Sequence, residues 1–236
     1  MNDPLILIPG LMCDARAFLP QITTLAKGRT ITIALPTPGT TVEEISARIL
    51  LGAPPKFVLV GQGLGGDVAL DIVRRAADRV TRIVLLSTDP LAEAPAVAAA
   101  REARIVAAMA GRLAEAMMEE IPPTSLANGP NRQDVALTLQ DMAKDLGPDV
   151  FVAQSRAMQR RPDQQKTLRR AMLPALILAG ADDKIVPLRR QELVAGLMPY
   201  AKLCVIQAAG HMAPLEQPQA VTDALEAFLA GPLLLR

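Results

Sequence analysis

The sequence predicts an α/β protein, a mostly parallel sheet of about six or more strands with helices on both faces and one helical insertion. Three observations lead there. Short apolar runs rich in β-branched residues recur along the chain, and amphipathic stretches of helical spacing separate them. The alternation stops once, between residues 91 and 172. Near-continuous apolar strands alternating with helices suit a sheet buried on both faces, and parallel sheets are buried in that way.

The first strand is expected at residues 5–8, Leu-Ile-Leu-Ile, ended by Pro9-Gly10, and the second at 30–34, ended by Leu35-Pro36. Residues 41–51 have helical spacing. The third strand, 57–60, is Phe-Val-Leu-Val and runs into Gly61-Gln62-Gly63-Leu64-Gly65-Gly66, with helical spacing over 64–77. Further strands are expected at 82–86, 175–179 and 203–206. In the gap, 102–120, 132–146 and 150–159 show helical periodicity, punctuated by Pro122-Pro123 and Gly129-Pro130. A helical segment leaving after one strand and returning before the next is expected to cover the sheet's C-terminal edge, where ligands bind in open α/β sheets. The expected organisation is a core of residues 1–90 and 173–236 with a cap, or lid, over 91–172.

Composition narrows the function. Net charge is +1 with scattered basic residues, which points away from nucleic acid and acidic membrane surfaces. With no Trp, one Tyr and four Phe, a stacking platform for bases or sugars is not expected. No run approaches the roughly 18 apolar residues of a membrane span. The start, Met-Asn-Asp-Pro, lacks the basic region of a signal peptide, so a cytoplasmic protein is expected. Cys13 and Cys204 are far apart and have no metal-ligand spacing; they read as buried free thiols, with a disulfide between them as the alternative. Neither a metal nor a cofactor is expected.

The Gly61–Gly66 series has the form of a nucleophile elbow, Gly-x-Ser-x-Gly, with glycine at the tip. A dinucleotide loop is the competing reading of these glycines. It is rejected because the series follows the third strand and no acidic residue ends the second. Three other features stand in order around the elbow. Ile8-Pro9-Gly10-Leu11 ends the first strand. Gly180-Ala181-Asp182-Asp183-Lys184-Ile185-Val186-Pro187 follows the strand at 175–179. Gly210-His211-Met212-Ala213-Pro214-Leu215-Glu216 follows the last strand and contains the only histidine.

With these four motifs in that order, the chain resembles the α/β-hydrolase-fold proteins of the capped serine hydrolase type over nearly its whole length. The resemblance implies that His211 is the general base and Asp183 the acid that orients it, with Asp182 and Asp89 as alternatives for the acid. It implies an oxyanion hole from the N–H groups of Leu11 and Leu64, and it puts Gly63 at the nucleophile position. The family often has His-Gly where this chain has Pro9-Gly10. As substitutes for the serine, Cys13 reads as a packing residue, and nothing in their surroundings distinguishes Ser87 or Ser155.

Three explanations of the glycine compete: a hydrolase that has been disarmed, a binding protein that kept the fold, and an enzyme using His211–Asp183 as general base without a covalent intermediate. The expected function is that of a hydrolase, an esterase for example, acting on a small ester, thioester, lactone or carbon–carbon bond, with its nucleophile position vacant. A non-catalytic ligand-binding or interaction protein is the alternative. The Met, Ala and Leu of residues 91–172 point to an apolar or mixed small molecule. Arg156, Arg160 and Arg161 are candidates for binding a carboxylate, or simply a solvated helix face.

Overall fold

The strands at residues 5–8 and 57–60 are apolar throughout because both of their faces are covered. In the computed structural model, which describes residues 3–232, β1 (Leu5–Ile8) and β3 (Phe57–Gln62) are buried at every position. The start of the chain weighed above against a signal peptide, and the outer ends of the expected core (1–2 and 233–236), lie outside the described residues. With β2 (Ile31–Ile33), β4 (Val80–Leu86), β5 (Ala175–Gly180) and β6 (Ala201–Ile206), β1 and β3 form one six-stranded sheet. Its order is β2-β1-β3-β4-β5-β6, and every pairing is parallel.

Side chains alternate across the pleat. Ile6, Ile8 and Leu59 join one apolar core and Leu5, Leu7, Val58 and Val60 the other. The first core is closed by α2 (Val42–Gly52), α3 (Leu64–Ala76) and α9 (Leu188–Leu197), through residues such as Ile45, Val68 and Val194. The second is closed by α1 (Leu19–Leu25) and α11 (Pro218–Ala230), through Leu25, Val221 and Leu225. Between them in the chain, the short α10 (Ala213–Glu216) leads into α11.

Strand ends differ from the expected ones where ladder pairing decides them. β6 starts at Ala201, two residues early, because Ala201 pairs with Ala175, and β4 starts at Val80, opposite Phe57. The edge strands β2 and β6 are partly exposed, since one side of each lacks a neighbour.

Five α-helices, one short 3-10 helix (Pro123–Ser125) and no strand, among the described residues, lie between β4 and β5; the α-helices are α4 (Pro95–Met109), α5 (Leu113–Glu120), α6 (Arg132–Leu146), α7 (Pro148–Gln159) and α8 (Gln165–Arg170). The helix expected over 102–120 is two helices, broken at Gly111, whose φ of 79° suits glycine. Helices α4 to α7 pack on one another, while α8 packs on α3 and α9. No helix among the described residues is long and apolar enough to cross a membrane.

Candidate functional site

The turn from β3 into α3 explains its own composition. A Cβ on Gly65 would run into the Ile8 carbonyl oxygen, one on Gly66 into the Thr88 hydroxyl, and one on Gly61 into the Gly65 carbonyl. These three positions exclude side chains by contact with β1, the segment after β4 and the turn itself. Gly63 differs. Its φ of 50° and ψ of −119° are strained for a residue with a Cβ, yet a Cβ there would meet nothing nearer than the Gly10 Cα at 3.9 Å. The tip has space for a side chain and the backbone of a residue held under strain.

Two loops at the same sheet edge bring an acid to a base. Asp183, in the loop after β5, accepts hydrogen bonds from the N–H groups of Ile185 and Val186, both at 2.9 Å. Its carboxylate faces Nδ1 of His211 at 3.0 and 3.2 Å. Burial pushes the Asp183 carboxyl up. The charge and hydrogen bond of His211, the Val186 N–H and the Ser87 hydroxyl more than offset this and hold it below the ordinary range. For His211, burial works downward, but the charge and hydrogen bond of Asp183, with smaller contributions from Glu216 and Glu120, raise its pKa above the usual value. Asp182 is exposed, and Asp89 stands near Arg161 and Arg190, so of the three expected acids Asp183 is the one bonded to the imidazole.

The histidine loop is held by a residue to which sequence reasoning assigned no role. Glu216, buried in α10, accepts from the N–H groups of Gly210 at 2.9 Å, Met212 at 2.8 Å and Ala127 at 2.6 Å. The His211 N–H donates to the Ser125 carbonyl at 3.0 Å, and the Gln62 amide donates to the His211 carbonyl at 3.2 Å. A glutamate five residues after the only histidine was the available signal. What it binds depends on residues 125–127, which arrive from the insertion.

Gly63, His211, Leu11, Leu64 and Gln62 line one cavity of about 360 Å³. Its other wall comes from residues 91–94 and from Val97, Arg101, Glu120 and Arg161 of the insertion, with Arg190 from α9. Among the described residues, neither the Leu11 nor the Leu64 N–H meets an acceptor. The Leu11 loop is fastened by Gln154 of α7, whose side chain accepts from the Met12 N–H at 2.7 Å. Met12 and Ser87 carry positive φ values of 54° and 47°, so backbone strain gathers at this edge.

The candidate substitutes for a serine separate clearly. Cys13 lines the cavity, but burial, with the charge of Asp14, pushes its thiol up to about 12, which leaves no thiolate near neutrality. Ser87 also lines it, and its hydroxyl donates to the His211 carbonyl at 3.4 Å. Ser155 is buried in α7 outside the cavity wall, and Cys204 lies on β6, away from the site. Of the three arginines, Arg156 pairs with Glu102, Arg160 is exposed and Arg161 faces the cavity. No cluster of metal-ligating side chains occurs among the described residues.

Comparison with known proteins agrees with this architecture. The chain is 26% identical over 197 residues to the biotin biosynthesis bifunctional protein BioHC of Teredinibacter turnerae, a match covering 78% of this chain and 34% of that protein. The chain thus spans about a third of that longer relative. It is 28% identical over 208 residues to the pimeloyl-[acyl-carrier protein] methyl ester esterase of Aromatoleum aromaticum, covering 83% of each. Among solved structures, a thermophilic esterase from Thermogutta terrifontis superposes with a TM-score of 0.86 at 24% identity, over 97% of this chain and 90% of that one, a likeness of fold. The model of the alpha/beta hydrolase family matches residues 5–224, and the chain belongs to that family.

Proposed function

We propose that the protein is a hydrolase scaffold for a small ester, thioester, lactone or carbon–carbon bond substrate, with the position of its nucleophile vacant at Gly63. The observation that carries this reading is the strained, unobstructed tip at Gly63 in the same cavity as a histidine bonded to a buried aspartate. Helices α4 to α7, within the 91–172 segment, act as the cap. The methyl ester esterase activity of the Aromatoleum relative supports an ester as substrate. Cys13 and Cys204 are unpaired, which fits the reducing cytoplasm.

In this reading the substrate carbonyl oxygen lies against the N–H groups of Leu11 and Leu64, which stabilise the charge that develops there. A hydroxyl at position 63 would attack the carbonyl carbon, and His211 would take its proton through Nε2. Asp183 holds Nδ1–H and stabilises the imidazolium as it forms. Without the hydroxyl, the remaining groups bind the substrate and polarise it, and His211 can only pass a proton from water. Loss of a triad serine costs about 10⁶ in turnover, leaving roughly 10³–10⁴ over water. The chain as it stands should therefore bind esters and turn them over slowly.

Labelling by a fluorophosphonate probe, run beside a panel of activated esters, tests this. Gly63→Ser should label and hydrolyse, whereas the unsubstituted chain should do neither at a comparable rate. A folded Gly63→Ser protein that resists the probe and leaves every ester intact would overturn the reading.

A further inference from the structure

The cavity holds three arginines, and they are used very differently. Arg101 is saturated. It donates to Glu93 through Nε at 3.1 Å and Nη2 at 2.7 Å, and to Glu120 through Nη1 at 2.7 Å. That is the geometry of a structural ion pair, and it ties α4 to α5 and to the loop after β4.

Arg161 has nothing of the kind. Its guanidinium stands 3.5 Å from Asp67 and 3.8 Å from Asp89, beyond charge-assisted hydrogen-bond distance, and its buried Nε–H has no acceptor. Both carboxylate oxygens of Asp67, buried in the first turn of α3, are likewise without a hydrogen-bond partner. Arg190 reaches Asp89 only at 3.8 Å. Buried charged groups are nearly always hydrogen-bonded, and Arg161 and Arg190, which line the cavity, hold their carboxylate partners only loosely, so a bound group would complete them.

We propose that Arg161 and Arg190 form the subsite for a carboxylate carried by the substrate, at the end of the cavity away from its reacting carbonyl. The inference rests on the reading of Gly63 and His211 as the reacting end. A carboxylate matches the planar fork of a guanidinium bidentately. A single negative charge also suits this wall better than a doubly charged phosphate, because Asp89, Glu93 and Glu120 already stand on it. The ligand class is therefore a half-ester or a comparable acid-bearing acyl compound, more polar at one end than the wall's Leu91, Val97, Ile121 and Met158 alone would suggest. Of the arginines in the 156–161 stretch, only Arg161 is placed to recognise it.

Calorimetry on the unsubstituted Gly63 protein tests the subsite apart from any turnover. The probes are monomethyl esters of straight-chain dicarboxylic acids, from four to eight carbons, each against its dimethyl ester. At least one monoester should bind about tenfold or more tighter than its diester. Arg161→Gln should abolish that preference and Arg190→Gln should weaken it, while Arg156→Gln, altered on the surface, should leave it intact. Because Arg161→Gln strands Asp67 in the interior, the double variant Arg161→Gln with Asp67→Asn serves as a neutral counterpart. It too should lose the preference. Equal binding of monoester and diester at every length, no binding of either, or a preference that survives in the folded double variant would overturn the proposal. Hydrolysis of neutral esters by Gly63→Ser without any monoester preference would remove the subsite and keep the hydrolase reading. A monoester preference in a Gly63→Ser protein that hydrolyses nothing would do the reverse.

Discussion

The loops after β5 and β6 bind their buried carboxylates in full, and the contact between Arg161 and α3 does not. Asp183 takes two backbone N–H groups besides the imidazole, and Glu216 takes three. Beside the cavity Arg161 and Asp67 face each other at 3.5 Å, with the Arg161 Nε–H and both Asp67 oxygens unused. The two regions answer to different constraints. Groups that move a proton must be held in one geometry, and backbone N–H groups at strand ends do that without flexible side chains. In the proposed subsite the guanidinium of Arg161 must keep donor capacity for a ligand, and its loose contacts with Asp67 and Asp89 leave it that.

The comparison can be broken most sharply at the loop after β6. In a Gly63→Ser background, His211→Ala should lower ester turnover by about 10⁶, leaving roughly 10³–10⁴ over water from binding and backbone donors alone. Steady-state rates on an activated ester would show it, and a loss of less than tenfold would mean that His211 is not the base.

Stability separates the glycines of the elbow. Gly65→Ala drives a methyl group into the Ile8 carbonyl and should cost more than about 3 kcal/mol, or abolish folding. Gly63→Ala adds only the strain of its φ and should cost about 1–3 kcal/mol. Denaturant melts of the two proteins check the order, and equal costs would contradict the account of which glycines are sterically required.

The Glu216 clamp comes next in size. Glu216→Gln keeps one acceptor where a carboxylate served three N–H groups, which should cost about 1–3 kcal/mol. In Gly63→Ser, turnover should fall more than stability would suggest, because the His211 loop is released. Turnover unchanged in the folded variant would leave Glu216 a structural residue only.

The smallest effect expected is on pH. His211 must be neutral to accept a proton, and its folded pKa is raised, so the activity of Gly63→Ser should be lost as pH falls through a value above 6.5. Glu120→Gln removes one of the charges that raise it and should move that acid limb to lower pH. A limb that stays fixed or moves up would show that Glu120 does not act on His211.

The sequence by itself determined the order of strands and helices and the elbow with its four glycines. It also placed Asp183 and His211 in loops that follow strands. These are local signals, since an apolar run or a glycine series is written in consecutive residues, although what requires Gly65 and Gly66 is contact with Ile8 and Thr88. Tertiary structure decided the rest. It chose Asp183 over Asp182 by turning one carboxylate inward and leaving the other exposed. It broke the 102–120 helix at Gly111, began β6 at Ala201 through pairing with β5, and gave Glu216 its partner in Ala127. It also separated Arg161 from Arg156 and Arg160, three arginines alike in composition, by setting one opposite Asp67. Such choices depend on which distant segments meet and how much water they exclude, and neither quantity is carried by spacing along the chain.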